Sequence, residues 1–256
     1  QERGKLIPVE EMPYQIDERA DPEHELAYKS IEELPVTPIG CDSSASWSRK
    51  YKHLQMTKTP EEVFEHLVSL IPNGTFEGRH GEDIHLVITG GEPLLGWQRV
   101  WPSLLSMCKE VGLRNVTFET NGSKEVTPEL INYFNSPEGE DIHVTWSTSP
   151  KLSLSGEKLE DTLKPECLTS MNQVLNSYLY NKFVVRDIVD FEEVDMFVQA
   201  YKDARVIVDA VYCMPEGATL EQQTLTEKDV AEACMQTGYK FSPRLHINLF
   251  GNAWGT

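Results

Sequence analysis

The stretch Val87-Ile88-Thr89-Gly90-Gly91-Glu92-Pro93 decides how the chain is read. The mostly apolar run Ile84–Ile88 predicts a buried strand. It stops at two adjacent glycines, a carboxylate and a proline. A glycine pair lets backbone N–H groups approach a ligand that any Cβ would block. In a βα protein such a turn lies at the C-terminal end of a strand, where ligand sites collect. Alone, the same residues also read as an ordinary tight turn before a helix, so the surrounding chain must decide.

Outward from this turn, strand and helix signals alternate. Upstream, Thr59-Pro60-Glu61-Glu62 is a capping box with proline at the first helical position, and Val63, Phe64, Leu67, Leu70 and Ile71 follow at helical spacing. Downstream, a helix from about Gln98 to Val111 is expected, with Trp101, Leu104, Leu105 and Cys108 on one face. The strand Asn115–Phe118 ends in Glu119-Thr-Asn-Gly-Ser123, and Thr127-Pro128 opens a short helix. The strand His143–Trp146 ends in Ser147-Thr-Ser-Pro-Lys151. A helix near Leu168–Tyr178 leads to the strand Leu179–Val185, which ends at Arg186-Asp187. Asp190-Phe-Glu-Glu193 reads as a second capping box. A strand Val206–Tyr212 runs on to Met214-Pro-Glu-Gly217, a helix starts at Thr226, and Arg244–Phe250 is the last expected strand. Strand and helix thus recur about every 30 residues. This order predicts an α/β fold with a mainly parallel sheet and helices outside it. Five or six such units are too few for an eight-stranded barrel. A partial (βα) barrel or an open sheet is expected.

The chain has 256 residues and a formal net charge of −18. That balance argues against nucleic acid as a partner, because phosphate binding needs a basic surface. No apolar run approaches the roughly 20 residues of a membrane span. Gln1 to Lys5 lacks the apolar core of a signal peptide, so a cytoplasmic location is expected. Five cysteines (Cys41, Cys108, Cys167, Cys213 and Cys234) form no CxxC pair, and buried thiols are expected for most. Residues 1–40 hold ten acidic against four basic residues, with prolines breaking both strand-like runs. They read as an atypical acidic segment preceding a barrel domain at 41–256.

Polar clusters stand at or after almost every expected strand: Thr89–Pro93, Glu119–Ser123, Ser147–Lys151, Arg186-Asp187, Met214–Gly217 and His246. In a parallel barrel they would gather on one rim and suit a polar, zwitterionic ligand. Glu92 can accept from an amine, the Gly90 and Gly91 amides can hold a carboxylate, and Glu119 can accept from ribose hydroxyls. Lys151 can neutralise an anion. Each also has a bland alternative as a turn cap or solvated charge. Phosphate-loop, dinucleotide, zinc-protease and nucleophile-elbow motifs are absent.

Together these residues resemble the 7-carboxy-7-deazaguanine synthase (QueE) family, within the radical S-adenosylmethionine superfamily. The resemblance runs from about Gly40 to Thr256. It rests on Cys41-Asp-Ser-Ser44, Thr89-Gly-Gly-Glu-Pro93, Glu119-Thr-Asn-Gly122, Ser149-Pro-Lys151 and the ending with His246 and Gly251-Asn252. It implies a partial (βα) barrel of the radical S-adenosylmethionine type, a homodimer, and a reductase or flavodoxin-type electron donor. The implied reaction is a radical ring contraction of 6-carboxy-5,6,7,8-tetrahydropterin to 7-carboxy-7-deazaguanine with loss of ammonia. The implied cofactors are S-adenosylmethionine, a [4Fe–4S] cluster and Mg2+. By motif, Gly90, Gly91, Glu92, Glu119 and Ser149 would contact S-adenosylmethionine, and Thr89 and His246 the pterin. Cys41 matches the last cluster cysteine, and Ser43 replaces the family's threonine ligand to magnesium.

The N-terminal part departs from the pattern. The family carries two more cysteines before the last, often as CxxxCxxC, and Leu34 and Pro38 stand at those positions. Asp17-Glu-Arg-Ala20 follows Tyr14-Gln-Ile16 where the family has a substrate-binding Gln-Gly-Glu-Gly stretch. One cysteine cannot supply three cluster ligands. Two readings therefore stand: an enzyme of this family with an altered N-terminal segment, or a cluster-less relative that binds S-adenosylmethionine or a pterin without turnover. A different S-adenosylmethionine-using (βα) enzyme is the more distant third.

Overall fold

A computed structural model describes residues 28–34, 46 and 49–251. Cys41, Ser43, Pro38, the 14–20 stretch and Asn252 lie outside the described residues. The helix α1, Pro60–Leu70, begins with the expected box: Thr59 Oγ1 accepts the Glu62 N–H, and the Glu62 carboxylate accepts the Thr59 N–H. Six strands follow in chain order: β1 Leu86–Ile88, β2 Asn115–Thr120, β3 His143–Thr148, β4 Ser177–Val185, β5 Ala210–Pro215 and β6 Lys240–Phe241. They pair in sequence order and all in parallel, and the sheet is open, with no pairing of β6 to β1. The intervening helices are α2 Trp101–Glu110, α3 Pro128–Phe134, α4 Pro165–Met171, α5 Asp190–Asp203 and α6 Leu220–Thr237; α7, Leu245–Phe250, comes last. This is the mainly parallel partial (βα) barrel that the alternation predicts.

The strands have two faces, because successive side chains point to opposite sides. On the helix side Val116, Phe118, Val144, Trp146, Leu179, Phe183 and Cys213 are fully or almost fully buried. Phe118 is the centre of this packing. Its ring stacks on Trp146 at 5.0 Å and meets Trp101 and Phe134 edge-on at 6.4 and 6.3 Å. Register explains the stack, since Phe118 pairs directly with Trp146. The other face carries Thr117, Glu119, Thr145, Ser147, Tyr178, Tyr180, Lys182 and Tyr212, by the same alternation.

Several boundaries differ from the sequence reading. The expected strand Arg244–Phe250 is instead the helix Leu245–Phe250. Its alternating Leu245, Ile247 and Leu249 imitate strand periodicity, but its backbone bonds close within the helix, and the last strand is Lys240–Phe241. The helix stops at Gly251, whose φ of 66° is the left-handed conformation that glycine accepts without a Cβ clash. Helix α6 starts at Leu220 rather than Thr226, because Thr219 and Gln222 form an unrecognised capping box. Asp190–Glu193 is no capping box: Asp190 accepts the Arg186 N–H at 2.7 Å, and Glu193 reaches out to Ser153. Helix α4 ends at Met171, short of Tyr178, and β5 begins at Ala210 rather than Val206.

Phe118→Ala removes a ring packed on three aromatic side chains and should cost about 3–5 kcal/mol. Urea unfolding followed by circular dichroism checks this; a midpoint near wild type would contradict the assigned core.

Candidate functional site

Glu92 organises the rim at the ends of β1, β2 and β3. The residue is buried, 8% exposed. Oε1 accepts the Leu94 N–H at 3.0 Å and the Thr120 hydroxyl at 2.7 Å. Oε2 accepts the Asn121 N–H at 2.9 Å. A carboxylate offers about four acceptor positions. Among the described residues three are used, and they tie the turn after β1 to the end of β2, which leaves one position on Oε2. The turn ahead of it is exposed, and Gly90 and Gly91 have φ of 81° and 55°. Among the described residues a Cβ on Gly90 would meet nothing within 4 Å, so its positive φ is what favours glycine there, while a Cβ on Gly91 would meet Ser46 Oγ at 3.4 Å.

Buried groups hold this turn from behind. Gln98 Nε2 donates to the Leu94 and Glu125 carbonyls at 2.6 and 2.8 Å, while its Oε1 accepts the Thr127 N–H at 2.8 Å. Trp101 Nε1 donates to the Pro93 carbonyl at 3.0 Å. Asn121 Oδ1 accepts the Ser123 N–H at 2.9 Å, the turn chemistry that its sequence predicts. The Ser149 N–H donates to the Thr120 carbonyl at 2.8 Å, which seats the Ser149–Lys151 loop beside β2. Glu193 of α5 clamps the far end of that loop, accepting the Ser153 N–H at 2.9 Å and the Ser153 hydroxyl at 2.7 Å.

On the non-helix face, the Thr89 hydroxyl donates to Glu119 Oε2 at 3.3 Å, and Lys182 Nζ lies 3.6 Å from Glu119 Oε1. Further round, Arg186 Nε faces Glu216 at 3.5 Å and Asp190 at 3.8 Å. Burial raises the Glu216 carboxyl above its ordinary range, and the Arg186 guanidinium opposes that rise. Arg186 is thus engaged with carboxylates of the chain itself. Gln223 ties α6 to the same edge by donating to the Pro215 and Gly217 carbonyls.

The structure therefore brings together Thr89, Gly90, Gly91, Glu92, Glu119 and Ser149 across three adjacent strand ends. His246 stands instead on α7, after β6 at the other edge of the sheet. Cys41 and Ser43 lie outside the described residues. Sequence reasoning missed Lys182, Gln98 and Glu193. For Lys182 a signal was present: a lysine in phase with Tyr178 and Tyr180 within an apolar strand belongs on the non-helix face.

A three-thiolate cluster does not fit the described residues. Cys108, Cys167, Cys213 and Cys234 are free and buried in the helix-side core. Burial pushes the Cys108 and Cys167 thiols up to about 11, and the Cys213 and Cys234 thiols upward as well. No group of three His, Cys, Asp or Glu among the described residues is placed to hold a metal. Leu34, which motif spacing sets against a cluster cysteine, is buried against Tyr51 with Tyr28 and Leu54.

An open parallel (βα) sheet with polar strand ends on one rim defines the class as a (βα) ligand-binding or enzymatic domain. Comparison with curated proteins narrows it. A 7-carboxy-7-deazaguanine synthase of Pyrobaculum aerophilum is 31% identical over 221 residues, covering 86% of this chain and 84% of that protein. Proteins of the same name from Halobacterium salinarum and Rhodopirellula baltica are 31% and 30% identical over 66% and 67% of this chain. The chain belongs to the 7-carboxy-7-deazaguanine synthase family. No family model matches it. Among solved structures, a putative copper homeostasis protein of Streptococcus agalactiae aligns with a TM-score of 0.36 and 13% identity over 79% of this chain and 85% of that one, too slight a likeness to carry an argument. Among the described residues no helix is long and apolar enough to cross a membrane.

Glu92→Gln replaces an acceptor with an NH2 group and leaves either the Asn121 N–H or the Oε1 donors unmatched. A loss of about 1–3 kcal/mol is expected in urea unfolding; unchanged stability would contradict the anchoring role. Cys108, Cys167, Cys213 and Cys234 should resist iodoacetamide at pH 8 in the native state and react after unfolding, because only a thiolate attacks. Peptide mass mapping reads this, and rapid native labelling of any of the four would contradict their burial.

Proposed function

We propose that the chain acts as its family name states, forming 7-carboxy-7-deazaguanine, with S-adenosylmethionine held at the β1–β3 rim and a pterin beside it. The overall change is ring contraction of 6-carboxy-5,6,7,8-tetrahydropterin with loss of ammonia. A homodimer in the cytoplasm belongs to the same reading. The observation that carries it is the Glu92 carboxylate, fixed by three donors with its remaining acceptor position beside an open glycine turn.

These residues fit the sulfonium nucleoside. The free position on Glu92 Oε2 takes its ammonium, and the Gly90 and Gly91 amides take its carboxylate. Glu119 accepts from the ribose hydroxyls, and Ser149 lines the adenosine side. Thr89, hydrogen-bonded to Glu119, orients that carboxylate and faces the pterin; His246, which the motif also assigns to the pterin, stands on α7 beyond β6 and is given no contact with it. If reduced by one electron from an external donor, bound S-adenosylmethionine would release methionine and supply an adenosyl radical for hydrogen abstraction from the pterin; the described residues would hold the nucleoside and supply no reductant. Because the described cysteines do not fit an iron–sulfur cluster, no step is assigned to one.

That misfit favours a second reading, a relative that keeps the binding rim without turnover. Calorimetry with S-adenosylmethionine, followed by anaerobic iron and sulfide reconstitution, separates the two. Micromolar-range binding is expected from the folded chain, at about −8 kcal/mol. Binding with a stoichiometric, visibly absorbing cluster and product formation supports the enzyme. Binding without either supports the silent relative. No binding by folded protein would overturn the site.

A further inference from the structure

Lys182 is a charge in a strand whose neighbouring positions are core. Asn181 and Phe183, one residue to either side, are fully buried on the helix face. Lys182 takes the other face, in register with Tyr212 of β5. Tyr180 contacts both Tyr178 and Tyr212 there, at 6.1 and 5.2 Å between ring centres. The ammonium does not stay over its own strand. It crosses β3 to lie 3.6 Å from Glu119 on β2. The β3 residue in register between Glu119 and Tyr180 is Ser147, and only a small side chain leaves that path open. The Ser147 hydroxyl is buried and makes no hydrogen bond among the described residues, so it does not bind either charge. The lysine side chain is 23% exposed and the glutamate 41%, so the pair sits at the mouth of the face rather than within the core. The other lysine on this face, Lys240, lies over the Tyr212 ring at 5.3 Å.

We propose that Lys182 is a positioning residue for the rim, acting through Glu119. Together with the Thr89 hydroxyl it holds both oxygens of the Glu119 carboxylate on the non-helix face, leaving their outer acceptor positions turned to a ligand's vicinal hydroxyls. In a chain of net charge −18 an unheld carboxylate would turn to solvent, away from its neighbours. The inference rests on the reading that a nucleoside-bearing sulfonium occupies this rim. It adds the residue that fixes the ribose contact.

The test is a double-mutant cycle by calorimetry on wild type, Lys182→Met, Glu119→Gln and the double variant. Two probes are titrated: S-adenosylmethionine, and 5′-methylthioadenosine, which keeps the ribose but lacks the amino-acid part. Lys182→Met should weaken both probes by the same factor, about three- to tenfold. Lys182→Arg should restore most of the affinity. In the Glu119→Gln background, Lys182→Met should change nothing further. Wild-type affinity in Lys182→Met overturns the inference. So does a loss confined to S-adenosylmethionine, which would place the lysine on the ligand's own carboxylate. An equal loss in the Glu119→Gln background overturns it too, as does a loss that follows a lowered urea midpoint and is not restored by arginine. If wild type binds neither probe, the proposed function fails and takes this inference with it; if wild type binds and the cycle is additive, only the inference fails.

Discussion

The rim depends on one buried carboxylate. An ionised group removed from water costs several kcal/mol unless its oxygens are hydrogen-bonded. Glu92 meets that condition with donors from Leu94, Thr120 and Asn121. Those three donors belong to two different strand ends, so satisfying the charge also sets where β1 stops relative to β2. The glycines before it can then hold left-handed conformations on the exposed side while the turn is pinned from behind by Gln98 and Trp101. A ligand site with an open front and a rigid back results from the same bonds that stabilise the turn.

The sheet divides labour between its faces. Helix-side residues make an aromatic and aliphatic core around Phe118 and Trp146, and register places those two rings in contact. The opposite face carries hydroxyls, tyrosines and the Glu119–Lys182 pair. Because side-chain direction alternates strictly, Glu119 is held on that face by the burial of Phe118 and Thr120 on either side of it. Packing on one side therefore aims chemistry on the other. The cysteines follow the same division: those described lie in the helix-side core, where thiols stay protonated and out of reach of a rim ligand.

Membership of the 7-carboxy-7-deazaguanine synthase family rests on likeness over most of the chain. The polar strand ends are positioned together by the parallel sheet, and Leu34, upstream of it, packs on Tyr51.

By itself the sequence determined the parallel alternation of strands and helices, the glycine turn before Glu92 and the polar character of the strand ends. These are local properties: periodicity, capping and turn chemistry act within a few residues. Only the tertiary structure decided that Glu92 is mostly occupied by the protein's own donors, that Glu193 holds Ser153 rather than capping α5, and that Lys182 reaches Glu119. Apart from the local Leu94 bond, these contacts join residues about 28 to 63 apart in sequence, between strand ends or from α5 to the loop after β3, and no local pattern encodes that. The last segment shows the converse. Leu245, Ile247 and Leu249 alternate as a strand would, but the chain beyond β6 closes its backbone bonds within a helix instead, the Ile247 and Gly251 N–H groups donating to Arg244 and Ile247.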